Sequence, residues 1–156
     1  MRSMNGPRSQ QGVMLIEALI GILIFSIGIL ALIGMQGVAI KNTADSRYRS
    51  EAAFLANQVV GQMWADIPNL TKYDTTVMAS CAVTPPNACT RRDDWRTQVE
   101  RSLPGIDVAA GTLAPAITVD SSNPGNIGVK VLIQWKQPGE TQSRRLEFNN
   151  RINPGI

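Results

Sequence analysis

The chain has 156 residues, 15 Lys and Arg against 12 Asp and Glu, two cysteines and no histidine. That length supplies one small domain and an appended segment. The net charge of +3 comes from dispersed residues, which excludes the clustered basic face of a nucleic-acid binder.

The N-terminal third is unlike the rest. "MRSMNGPRSQQG" carries Arg2 and Arg8, and removing both would lower the net charge to +1 (3 − 2). It is followed by an apolar run, "VMLIEALIGILIFSIGIL". From Ala18 to Ile40 there are 23 residues with no charge and no proline, and a helix of about 20 such residues crosses a bilayer. The positive-inside rule places Arg2 and Arg8 in the cytoplasm and the rest of the chain outside it. One acid, Glu17, stands near the start of the run, where a charge is expensive if hydrocarbon surrounds it.

Three readings meet here. A secretory signal has an apolar region of about 7–15 residues, shorter than this run, and would be cut near Gly37-Val38-Ala39. A plain membrane anchor fits the length and flanks and leaves Glu17 merely tolerated at the membrane edge. The third reading accounts for more residues. A basic leader ending in Gly12, then Leu15, Ile16 and Glu17 in order, resembles the type IV pilin and pseudopilin family. Val13 and Met14 stand where that family usually has Phe-Thr. The continuation "SIGILALIGMQ" looks most like the PilV class of type IV pilus minor pilins.

The resemblance covers about Gly12 to Gln36 and implies a division of the chain. Residues 1–12 are a prepilin leader. Residues 13–40 are the transmembrane and assembly half of a long helix. Residues 41–156 are a periplasmic or extracellular head that includes the second half of that helix. It further implies cleavage between Gly12 and Val13 by a prepilin peptidase, N-methylation of Val13, and assembly docking through Glu17. The implied partners are other minor pilins, the major pilin, a tip adhesin and the inner membrane. The implied role is to prime pilus assembly and support adhesion and twitching motility. A minor pseudopilin of a type II secretion system shares the same N-terminal logic. A membrane-anchored periplasmic binding module is the alternative from another class.

No proline occurs between Pro7 and Pro68, so one helix over about Met14–Ala65 is expected, broken by "DIPNLTKYD". Gly21, Gly28, Gly34, Gly37 and Gly61 weaken it locally. Past Lys41 the spacing of Tyr48, Ala52, Leu55, Val59 and Met63 makes one apolar face. Arg49, Asn57 and Gln58 lie opposite. Cys81 and Cys89 enclose "AVTPPNA". Without histidine or further cysteines they cannot complete a zinc site, and they lack the Cys-x-x-Cys redox spacing. A structural disulfide is expected, contributing about 2.5 kcal/mol for so short a loop.

"TRRDDWRTQVERSLPG" reads as a second helix, capped by Thr90 or Asp93, with Trp95, Val99 and Leu103 on its core face and Pro104-Gly105 ending it. Three strands follow: "AITVD", "GVKVLIQW" and "RRLEF". Ile117 and Val119, then Val129, Val131, Ile133 and Trp135, then Leu146 and Phe148 are in step for one face. The expected class is α+β, a pilin-like long helix packed on a small antiparallel sheet. No catalytic residues, cofactor or metal are expected: no histidine can serve as base, and Asp93-Asp94 fits a helix start.

Overall fold

The computed structural model describes residues 11–76 and 87–155. The chain divides into two compact units, Met1–Asp45 and Ser46–Ile156. The elements are α1 (Gln11–Trp64), a 3₁₀ segment (Ile67–Tyr73), α2 (Ala88–Ser102), β1 (Ala116–Asp120), β2 (Ile127–Trp135) and β3 (Arg144–Ile152). Helices and a single antiparallel sheet make the class α+β.

In the first unit, α1 buries nothing. Its large apolar side chains from Val13 to Ile40 are 42–75% exposed. The helix is long and apolar enough to cross a membrane. Ser26, inside the run, donates its hydroxyl to the Ile22 carbonyl at 2.7 Å, and Thr43 donates to Ala39 at 2.9 Å. Both hydroxyls are therefore satisfied within the helix, and that of Ser26 would impose little cost in hydrocarbon.

In the second unit the same helix becomes one wall of a core. Ala52, Leu55, Val59 and Met63 are buried, as their spacing requires, and Tyr48 is half-buried. Ala56 and Val60 are buried too, so the apolar arc is two adjacent stripes wide. Gln58, expected on the outer face, is half-buried and donates its amide to Gln98 Oε1 at 3.2 Å. The helix stops at Trp64. Pro68 enters the first turn of the 3₁₀ segment, where its missing N–H costs nothing.

The cap of α2 corrects the sequence reading. Asn87, not Thr90 or Asp93, is the N-cap: its side-chain oxygen accepts the Thr90 N–H at 2.9 Å. The helix begins earlier than expected, so Thr90 and Asp93 lie inside it. Trp95, Val99 and Leu103 are buried. The Trp95 indole donates to the Leu55 carbonyl at 2.9 Å, which gives a buried polar handle its partner and ties α2 to α1. After Leu103, Gly105 adopts φ +78°, and the following chain runs so close to Lys136 that a Cβ on Gly105 would lie 2.9 Å from its carbonyl oxygen.

The sheet order is β1-β2-β3, antiparallel throughout. Ile117, Val129, Val131, Ile133, Trp135 and Ile152 are fully or nearly fully buried on its inner face, while Lys130 is exposed on the other. β3 extends four residues past Phe148, to Ile152, and Ile152 pairs with Ile127.

Candidate functional site

The residues singled out for assembly lie at the start of α1. Gly12 and Val13 are in its first turn, and Glu17 is four residues beyond Val13. A spacing of four puts two residues on one helix face, about 6 Å apart along the axis. Glu17 is exposed, as are the apolar residues around it. No Lys or Arg occurs between Glu17 and Lys41. Those 24 intervening steps span about 36 Å of helix, so Lys41 is out of reach as a counter-ion. From Gln11 to Ile40 the chain carries no Lys or Arg that could offset Glu17 in hydrocarbon.

Cys89 is buried in the first turn of α2 and is disulfide-bonded. Cys81, its expected partner, lies outside the described residues, as do residues 1–10 of the expected leader.

Sequence reasoning missed two polar clusters that hold the head together. Asp66, just past the end of α1, pairs with Arg91 of α2 at 2.7 Å and accepts the Asn69 amide at 2.7 Å. The Tyr73 hydroxyl donates to the same carboxylate at 3.4 Å. Burial, aided by Asp66, pushes the Tyr73 phenol above its ordinary pKa against the opposing pull of Arg91, so it stays a neutral donor.

The second cluster centres on Asp74, which is 5% exposed. Its Oδ1 accepts the Thr76 N–H and hydroxyl at 2.7 and 2.6 Å, and its Oδ2 accepts the Val119 N–H at 2.8 Å. Arg92 donates to the carbonyls of Lys72 and Asp74 at 3.2 and 3.3 Å, placing a cation at the C-terminal end of the 3₁₀ segment. The run Asp74-Thr75-Thr76 is an Asx-turn signal. It was legible as a turn, but not as a clasp on a strand 45 residues away.

A shallow polar groove of about 730 Å³ lies on the outer face of the sheet, lined among others by Thr118, Asp120, Asn126, Lys130, Asn149 and Arg151. Hydrogen bonds from the Ser122 hydroxyl and N–H hold the Asp120 carboxyl below its ordinary pKa. A hydrogen bond from Lys130, at 2.9 Å, does the same for Glu147. These charges are engaged with neighbours. Among the described residues no group of three or more metal-binding side chains gathers.

No family model, characterised protein or solved structure matches this chain.

Proposed function

We propose that this chain is a minor pilin of a type IV pilus, a non-catalytic subunit that primes filament assembly and so supports pilus-dependent adhesion and twitching motility. One observation carries the reading: the exposed apolar run of α1 from Val13 to Ile40, whose lone acid, Glu17, stands one turn after Val13 and five residues after Gly12. On this reading a prepilin peptidase in the inner membrane cuts after Gly12 and methylates the Val13 amine. The apolar half of α1 then anchors the subunit, with its head in the periplasm, until extraction into a surface filament.

The chemistry of Glu17 follows. Cleavage creates a positive amine one helical turn from the carboxylate. In low dielectric their attraction is strong, and the amine of a neighbouring subunit offers the same partner. Apolar helix packing alone leaves vertical register free. A buried acid that needs a cation sets it, much as a single polar residue sets register in a coiled coil. Other minor pilins, the major pilin and a tip adhesin are the partners this role requires.

Intact-mass measurement of the protein isolated from its native envelope tests the reading. The expected species begins at Val13 and carries one added methyl group. A bulky residue in place of Gly12 is expected to leave an inserted, uncut precursor. Protein retaining Met1 in the wild type, or normal maturation of the Gly12 variant, overturns the assignment.

A further inference from the structure

We propose that the open edge of β3 receives an extended strand from a different protein, one that alternates apolar and acidic residues, as a fourth strand of the sheet. The two edges of the sheet are treated differently. At β1, the Ile117 N–H donates to Thr75 Oγ1 at 2.9 Å, its carbonyl accepts the Thr75 N–H at 2.9 Å, and the Val119 N–H goes to Asp74. That edge is closed by the chain's own residues 74 and 75.

The same bonds fix the parity of the whole ladder. Ile117 and Val119 direct their backbone groups away from β2, so Thr118 and its alternates bond to Lys130 and its alternates. Val129, Val131 and Ile133 must then bond to Asn150, Phe148 and Leu146 of β3. That leaves Arg145, Glu147, Asn149 and Arg151 with N–H and C=O directed to the free edge. The Arg151 N–H donates to the Asn150 side chain at 2.7 Å, in agreement with this parity. Among the described residues, none of the backbone hydrogen bonds outside the ladder involves β3.

β3 is nine residues long, with no proline, and its register against β2 runs without a bulge. Folded proteins guard such edges with prolines, bulges or charges, and β3 has neither of the first two but carries Arg145, Glu147 and Arg151. The core side of the edge is also unfinished. Leu146 and Phe148 pack against the core yet stay half-buried. An added strand would set alternate apolar side chains beside them.

Charge selects the occupant. Arg145 and Arg151 are exposed on the outer face, while the intervening Glu147 is paired with Lys130. Acidic side chains on the incoming strand would meet both arginines. A second copy fits poorly: full-length antiparallel pairing of two β3 strands would place Arg145 opposite Arg151 twice, a like-charge contact that destabilises a sheet. This inference does not depend on the pilin reading.

The test uses the full chain in detergent micelles and two labelled ten-residue probes, one alternating glutamate and valine, the other lysine and valine. Fluorescence polarisation should show binding of the acidic probe and little of the basic one. Asn149→Pro removes an edge-facing N–H without losing a ladder bond. It should weaken acidic-probe binding about tenfold or more while leaving thermal unfolding nearly unchanged. The double variant Arg145→Glu, Arg151→Glu should exchange the preference for the basic probe. Equal binding by Asn149→Pro, indifference to probe charge, or no binding at millimolar probe would overturn the proposal. A wild-type dimer in sedimentation that Asn149→Pro dissolves would assign the edge to a second copy and overturn it equally.

Discussion

Replacing Asp74 with alanine should destabilise the head by about 3 kcal/mol. Among the described residues the carboxylate accepts hydrogen bonds from Thr76 and Val119, and they are unequal. Thr76 is exposed, so water takes over its N–H and hydroxyl when the carboxylate is removed. Those two contacts lose only the small net difference between a charged hydrogen bond and one to water. The Val119 N–H is different. It sits on a half-buried residue at the β1 edge with Asp74 as its acceptor, and an orphaned buried donor costs about 1–3 kcal/mol. Asp74→Asn keeps one acceptor oxygen but turns an NH₂ group toward either Thr76 or Val119, so it should fall between wild type and alanine. Trp95 and Trp135 are buried and Trp64 is 44% exposed, so tryptophan emission during unfolding of the full chain in detergent reports the core. For a unit of this size, about 3 kcal/mol lowers the midpoint by roughly 13 °C. An alanine variant within about 0.5 kcal/mol of wild type would refute the clasp. So would an asparagine variant no more stable than alanine.

On the proposed pilin reading, Glu17→Leu should insert and be cleaved normally, yet sharply reduce sheared surface pili when it replaces the native copy, because a buried amine stripped of its acid would cost about 3–5 kcal/mol. Cleaved protein with wild-type piliation would defeat the docking role. Gly105→Ala should cost about 2 kcal/mol or more in the same unfolding assay: the left-handed backbone penalises any Cβ, and the backbone oxygen of Lys136 blocks this one. Wild-type stability would show that the close approach relaxes freely. Non-reducing peptide mapping of protein from the envelope should recover Cys81 linked to Cys89, and two free thiols would refute the pairing. Cys89→Ser should then reduce subunit abundance several-fold, since losing a native disulfide costs a small domain about 2–5 kcal/mol.

What depends on periodicity was legible in the residues alone. The apolar run of α1, its amphipathic continuation through Leu55 and Met63, the Trp95 face of α2 and the alternation from Val129 to Trp135 are local patterns, set by 3.6 residues per turn or by two per pleat. The position of Glu17 in the apolar run, one turn beyond Val13, was equally plain. What required the tertiary structure depends on residues far apart in sequence. "NNRI" carries little strand signal, and β3 continues through it because β2 beside it is nine residues long and offers bonds to the end. Ala56 and Val60 are small or moderate side chains beside the expected stripe; they become core because α1 meets a broader surface than one stripe covers. Asn87 became a cap because α2 begins directly after it. Asp66 with Arg91, Asp74 with Val119 and Leu55 with Trp95 bridge 25, 45 and 40 residues. A carboxylate or an indole looks alike in sequence whether water or a distant backbone group satisfies it. Only folding brings that group within hydrogen-bond reach and excludes the water that would otherwise compete.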